Sequence, residues 1–148
     1  MKKAMYAISI LSSLLILVMI ILVMTKQEQY EMRQTIDNTY KESFLRILDS
    51  MRQMEDPAFS VEEKQMLSAR DTAYGFNLRT LQFSTSYAKQ EDFCTISLLL
   101  DEATGTDAIY TLAYSDELYD TLIQLYDKDF QDVELLKKAR AMLEAAID

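Results

Sequence analysis

The chain has 148 residues, of which 49% are hydrophobic and 26% charged, and its formal net charge is −9. It contains no His, no Trp, one Cys, one Pro and two Gly. These counts exclude a Ser-His-Asp triad, zinc sites built from His or Cys, an internal disulfide and the glycine-rich loops that bind phosphates. Because β-sandwiches and barrels need many tight turns rich in Gly and Pro, the composition predicts an all-α fold.

The first element is an uncharged apolar run from Ala4 to Met24, AMYAISILSSLLILVMIILVM. About 20 apolar helical residues cross a bilayer core of about 30 Å, so residues 4–24 are predicted to form a single transmembrane helix. A cleaved signal peptide would have a shorter apolar region and small residues at its end. No second run of this length follows, and Lys2 and Lys3 favour a cytoplasmic N-terminus. We therefore predict a single-pass signal anchor in the cell membrane, with residues 1–3 as a cytoplasmic tail and the remainder extracytoplasmic.

Two serines in this run, Ser9 and Ser13, form a small-xxx-small pair that would let two membrane helices approach closely. Serine is also tolerated in membrane helices without any packing role, and this simpler interpretation is preferred.

The excess of negative charge lies almost entirely in the C-terminal part of the chain. Residues 26–90 carry nine basic and ten acidic residues, whereas residues 91–148 carry four basic and fourteen acidic residues. Such a field repels phosphate backbones, so we predict no nucleic-acid binding. It favours a basic protein partner or cations, although a solvated surface that keeps the domain soluble is the simpler interpretation.

Residues 25–55 are predicted to form a membrane-proximal amphipathic helix. Its apolar seam has the spacing 4, 3, 4, 3 that is typical of one helix face and consists of Tyr40, Phe44, Ile47, Met51 and Met54. Asp56-Pro57 ends this helix, since Pro disfavours a helical residue before it. Residues 56–148, acidic from residue 91, are predicted to complete a small helical bundle.

The second helix of the bundle is predicted to begin at Ser60, which forms a capping box with Glu63. Its core stripe is predicted to consist of Val61, Leu67, Tyr74, Leu78 and Leu81, with Met66 and Ala73 beside it. Gly75 lies inside this helix at a cost of about 1 kcal/mol in helix propensity. Residues 76–87 alternate in two short runs, and a bent or broken helix is favoured there over a short strand.

Three further helical segments follow. Residues 91–103 have an apolar helical face, Asp107 is predicted to cap the short segment 107–114, and Ser115 precedes a helix that reaches Tyr126. Asp127-Lys128-Asp129 is predicted to be a turn, and a last helix runs to about Ile147.

Candidate catalytic and metal sites fail on inspection. The segment that starts at Asp127 resembles a calcium loop, but its sixth and twelfth positions are Asp132 and Lys138 rather than Gly and Glu. Ser50-Met51 after an anchor is similar to the nucleophile region of membrane signal peptidases, but the Pro-Thr and catalytic Lys segments expected with it are missing. Cys94 is predicted to be a buried small hydrophobe, with an intermolecular disulfide as the alternative. We therefore predict no catalytic residue, no cofactor and no metal site.

The leading functional prediction is a membrane-anchored helical protein-interaction domain, a scaffold or regulatory module of the cell envelope without enzymatic activity. It would contact lipid through residues 4–24 and bind an envelope protein, and a homo-oligomer is also compatible with the sequence. The predicted interaction face consists of Tyr114, Asp116, Glu117, Tyr119 and Asp120, where acidic residues would attract a basic partner and Tyr rings would be buried on binding. The commoner alternative is a solvated acidic face, with the Tyr rings of residues 91–148 in the core beside Leu118, Leu122 and Leu125. A small-ligand-sensing extracytoplasmic bundle is the alternative, and a hydrolase that uses carboxylates alone ranks third.

Overall fold

The structure is a computed structural model that describes the backbone of residues 2–147 and the side chains of residues 14–147. Its six helices within residues 2–147 are α1 (Lys2–Glu55), α2 (Val61–Leu81), α3 (Glu91–Thr104), α4 (Ala108–Ala113), α5 (Asp116–Asp127) and α6 (Val133–Ile147). This part of the chain contains no strand, so the all-α prediction is confirmed. Residues 82–89 form turns after the end of α2, in agreement with the broken helix predicted for residues 76–87.

The chain divides into two compact units, Met1–Thr35 and Ile36–Asp148. In the first unit, residues 14–24 of α1 are apolar, and between 46% and 67% of each of their surfaces is exposed. No helix in the part of the chain with described side chains is both long enough and apolar enough to cross a membrane. Residues 4–13 of the predicted membrane span, with Ser9 and Ser13 among them, have side chains outside the described residues.

The second unit is organised around the apolar seam of α1. All five predicted seam residues are fully buried, and Leu48 beside them is buried too. Every other helix of the unit contributes to the same core: Leu67 and Leu78 from α2, Phe93, Ile96, Leu100 and Ala103 from α3, Ile109, Leu112 and Ala113 from α4, Leu118, Leu122 and Leu125 from α5, and Leu136, Ala139 and Leu143 from α6. The heptad spacing of the α1 seam therefore predicted the centre of the bundle.

Five aromatic rings meet in this core, namely Tyr40, Phe44, Tyr87, Phe93 and Phe130. The Phe130 ring lies 5.0–5.6 Å from the other four ring centroids. Such edge-to-face and tilted contacts add to the free energy gained by burying the rings. The phenol of Tyr40 also forms a 2.7 Å hydrogen bond with the hydroxyl of Ser97, which satisfies the polar end of a fully buried side chain.

At Gly75 the backbone of α2 lies close to α3. A Cβ atom at this position would lie 2.1 Å from Oγ1 of Thr104 and 3.0 Å from Cα of Asp101. A larger side chain would not fit in that space. Gly75 lowers the helix propensity of α2, but it allows the backbones of the two helices to lie in contact.

The helix ends largely follow the sequence prediction. Ser60 and Glu63 form the capping box, with a 2.7 Å bond from the Ser60 amide to the Glu63 carboxylate, and Ser115 caps α5. The cap predicted at Asp107 is wrong, since its side chain makes no cap bond, and the hydroxyl of Thr106 instead accepts from the amide of Ala108.

The predicted turn between α5 and α6 is present, but it has an unusual backbone. Asp129 and Phe130 both have left-handed conformations, with φ of 52° and 55°. Left-handed φ is costly for a bulky residue such as Phe. The turn is held by a 2.9 Å bond from the Phe130 amide to the carbonyl of Leu125 and by an ion pair between Asp129 and Lys41.

Candidate functional site

The outward face of α2, together with Phe83 in the turn that follows it, carries an apolar seam that the core of the second unit does not use. We call it the outer stripe; its members are all exposed, are spaced 3, 4, 3, 4 and 3, and consist of Met66, Ala69, Ala73, Phe76, Thr80 and Phe83. Met66, Phe76 and Phe83 are 74%, 61% and 73% exposed. This is the a/d pattern of a helix that packs against another helix.

The predicted core stripe of α2 is therefore wrong in part. Leu67 and Leu78 are buried as predicted and Tyr74 and Leu81 are half-buried, but Val61 and Met66 are exposed. The buried face of α2 consists instead of Leu67, Asp71, Gly75 and Leu78. Close contact at Gly75 and a polar contact at Asp71 fix this rotation of the helix, and the large apolar residues of the opposite face then point outward.

Sequence reasoning missed the outer stripe because Phe76 and Phe83 were assigned to two short alternating runs. A signal was present, since these two Phe residues are seven apart and continue the spacing set by Met66, Ala69 and Ala73. A helix with two apolar faces has no single polar face. Its sequence therefore shows no clear amphipathic stripe, and neither apolar face is easily recognised.

Both flanks of the outer stripe carry charged residues that also make contacts within the chain. Arg79 pairs with Asp101 at 3.3 Å, and Arg70 donates a 2.6 Å bond to the hydroxyl of Ser50. Near the start of the helix, Ser60 donates to Glu63 and lowers the pKa of its exposed carboxyl. A shallow groove lined by Phe59, Glu63, Met66, Leu67 and Arg70 runs beside this end of the stripe.

A buried polar network lies on the inward side of α2. Ser50 on α1 donates a 2.8 Å bond to Oδ1 of Asp71, and Arg70 donates to Ser50 from the surface. The carboxyl of Asp71 is fully buried, and its Oδ2 has no hydrogen-bond partner. Desolvation by burial raises the pKa of Asp71 from 3.8 to about 7, against the opposing effects of the Ser50 bond and the Arg70 charge.

The chemistry of this network is structural in the conformation described. Ser50 is fully buried and its hydroxyl already donates to Asp71, so a substrate would have no access to it. A carboxyl with a raised pKa in a cleft is a candidate acid or base, but Asp71 faces the packed interior of the bundle rather than a cleft.

The predicted acidic interaction face lies on and next to α5. Tyr114 is 64% exposed, and Asp116, Glu117 and Asp120 are exposed as well, whereas Tyr119 is half-buried. The charges of this face are partly neutralised within the chain. Asp116 lies 3.4 Å from Arg52 and Glu117 lies 2.8 Å from Lys138.

The Tyr119 ring on this face is also occupied, because the guanidinium of Arg52 stacks 5.2 Å from its centre. Four of the five residues of this face are exposed and Tyr119 is half-buried, and several of its groups already have partners within the chain. The outer stripe exposes three large apolar side chains, whereas the acidic face exposes one, Tyr114.

The remaining candidates keep ordinary structural roles. Cys94 is half-buried, and burial raises the pKa of its thiol, which reduces the thiolate fraction. Within the described residues, no group of His, Cys, Asp or Glu side chains is arranged to hold a metal ion. In the failed calcium loop, Asp132 instead accepts from the amide of Leu135 at the start of α6 and pairs with Lys128.

Comparison with known proteins adds no relative to this picture: no protein-family model matches the chain, and neither do the curated proteins or the solved structures.

Proposed function

We propose that this protein is a membrane-anchored helical interaction module that binds a helix of a partner protein along the outer stripe of α2. Residues 4–24 are the anchor, the N-terminus is cytoplasmic, and the second unit lies outside the cytoplasmic membrane. The module scaffolds or regulates its partner and catalyses no reaction. The exposed heptad seam from Met66 to Phe83 is the observation that carries this proposal.

The size of the seam supports a binding role. A Phe or Met side chain offers about 150–250 Å² of surface, so the exposed parts of Met66, Phe76 and Phe83 together present about 400 Å² per chain. A single exposed Leu or Phe on a protein needs no explanation, whereas an apolar patch of several hundred Å² is typical of an interaction site.

The shape of the seam indicates what kind of partner it binds. Two small residues, Ala69 and Ala73, lie between the large residues Met66 and Phe76. An amphipathic helix fills such a surface by placing its own large side chains over the small positions. The flanking Arg70 and Arg79 favour polar or acidic positions at the edges of the partner helix.

The anchor is supported by the sequence of residues 4–24, which carries no charged side chain. The side chains of residues 14–24 point outward around the helix, where lipid would contact them. The alternative prediction of a ligand-sensing bundle has no comparable support, because large fully buried side chains such as Phe44, Phe93 and Phe130 fill the centre of the second unit.

Photo-crosslinking of the full-length chain in cells tests the proposal. A photoreactive amino acid at position 76 is expected to yield a covalent adduct with another polypeptide chain, whereas one at Val133, an exposed position on α6, serves as the matched control. A third probe at Tyr114 reports on the acidic face. Equal labelling at positions 76 and 133 would refute a role for the outer stripe, and an adduct from position 114 alone would move the binding site to the acidic face.

A further inference from the structure

We propose that the helix bound by the outer stripe is α2 of a second copy of this chain, so that two α2 helices pack as an antiparallel pair. This inference rests on the proposed use of the stripe for binding and names the partner. Three properties of α2 carry it: the size pattern of the stripe, the placement of its flanking charges and the area that the pair would bury.

The size pattern is self-complementary when the two helices run in opposite directions. In one antiparallel register Ala73 of each copy faces Phe76 of the other, so each large ring lies over a small residue. In the same register Ala69 faces Thr80, and Met66 lies toward the end of α2 that the turn carrying Phe83 follows. Four positions of the outer stripe, Ala69, Ala73, Phe76 and Thr80, then each meet a position of the stripe on the second copy, as an isologous twofold interface requires.

The flanking charges fit the same register. Arg70 faces Asn77 of the second copy, and Arg79 faces Thr72 of the second copy, so no two like charges are opposed along the seam. A register shifted by one heptad toward the N-terminus would bring Arg70 of the two copies together across the twofold axis. Antiparallel packing also opposes the two helix dipoles, which favours the pair.

The buried area suits a reversible dimer. The exposed apolar area of about 400 Å² per chain, together with the flanking side chains, amounts to about 1,000–1,200 Å² over both copies, at the lower end of specific interfaces. The two chains each carry a net charge of −9, so their long-range repulsion weakens as salt is added. Dimerisation is therefore expected to strengthen with ionic strength, whereas a contact driven by Arg70 and Arg79 with an acidic partner or an anionic lipid surface would weaken.

Disulfide crosslinking of the full-length protein tests the register directly. Two differently tagged copies are expressed together in a Cys94→Ser background, one with Ala73→Cys and the other with Phe76→Cys. Oxidation is expected to join the two tags, because the proposed register places these positions opposite each other and within the reach of a disulfide. Copies that both carry Val133→Cys on α6 are the matched control, and they should not crosslink.

A second measurement keeps the test independent of thiol chemistry. Light scattering of the purified full-length chain in detergent is expected to give twice the mass of one chain, and Phe76→Asp should weaken this association at least about tenfold. Phe76 is 61% exposed, so unchanged circular dichroism of the variant would show that the fold survives.

The outcomes separate this inference from the proposed function. A crosslink between positions 73 and 76, with a mass that doubles, supports the antiparallel pair. Crosslinks of 73 with 73 and of 76 with 76, without the mixed product, would indicate a parallel pair and overturn the register. A monomer at all salt concentrations whose position-76 photoadduct contains another protein would overturn the inference while leaving the proposed function in place. A monomer that forms no adduct would refute both.

Discussion

Replacing the buried Asp71 by Asn is expected to change how the stability of the second unit depends on pH. The folded-state pKa of Asp71 is raised from 3.8 to about 7 because burial removes water from its carboxylate. Below pH 3.8 the carboxyl is protonated in both the folded and unfolded states, so its burial carries no charge penalty. Between pH 3.8 and 7 only the folded state keeps the proton, and the free energy of unfolding therefore decreases as the pH rises.

The magnitude follows from the difference between the two pKa values. Each pH unit in that interval corresponds to about 1.4 kcal/mol, so the full penalty above about pH 7 is about 4 kcal/mol. The amide introduced by Asp71→Asn is neutral at every pH, and its oxygen can accept the bond that Ser50 donates to Asp71 at 2.8 Å. The variant should therefore resemble the wild type near pH 4 and exceed it in stability at pH 8.

Urea denaturation of a fragment comprising residues 27–148 measures both free energies at a series of pH values. The lowered pKa values of Glu63, Glu117 and Asp132 shift the total pH dependence in the opposite direction, so the difference between wild type and variant is the relevant quantity. Asp107→Asn is the matched control, since Asp107 is exposed and makes no cap bond. If the difference between wild type and Asp71→Asn stays constant from pH 4 to pH 8, the account of Asp71 is incorrect.

Three further predictions concern packing and topology. Gly75→Ala should lower the free energy of unfolding by about 1–2 kcal/mol, measured by chemical denaturation, because overpacking outweighs the gain in helix propensity. Gly105→Ala is the control and should be nearly neutral, because its Cβ would meet only atoms at 3.5 Å or beyond. In the same assay, Phe130→Ala should lower the free energy of unfolding by about 3–5 kcal/mol, and Phe83→Ala, on the exposed surface, by about 0.5 kcal/mol or less. Similar decreases for the two variants would contradict the assignment of Phe130 to the core and Phe83 to the surface. A reporter that is active only outside the cytoplasm should be active when fused after Asp148, and activity of a cytoplasmic reporter instead would reverse the proposed orientation.

The core of the second unit could be predicted from sequence wherever one helix face was clearly more apolar than the other. The seam of α1 from Tyr40 to Met54 satisfied that condition, and its five residues are buried as predicted. Local signals were also reliable where one short contact decides the structure, as at the Ser60 cap. In both cases the sequence signal lies within one helix or its cap, although the α1 seam is buried by distant residues such as Phe93 and Phe130.

The candidate site was predicted poorly because it depends on contacts between distant residues. Asp71 and Gly75 face inward on α2 because Ser50 and Thr104 lie opposite them, and neither contact is visible in the sequence. A charged residue and a glycine are ordinarily assigned to the outside of a helix, so Asp71 and Gly75 were not predicted on the inward face, although Leu67 and Leu78 were. The outer stripe was not predicted for the same reason, since Met66 was expected to lie beside the core.

The left-handed turn at Asp129 and Phe130 links the last helix to the seam of α1. The backbone conformation of this turn is unfavourable by itself, and it places the Phe130 ring against Tyr40 and Phe44. Opening of α6 would therefore have to withdraw a ring from the centre of the core. Amide protons near the middle of α6 should accordingly exchange with solvent only through global unfolding rather than by fraying of the chain end. In that case α6, the turn before it and the α1 seam form one cooperative unit.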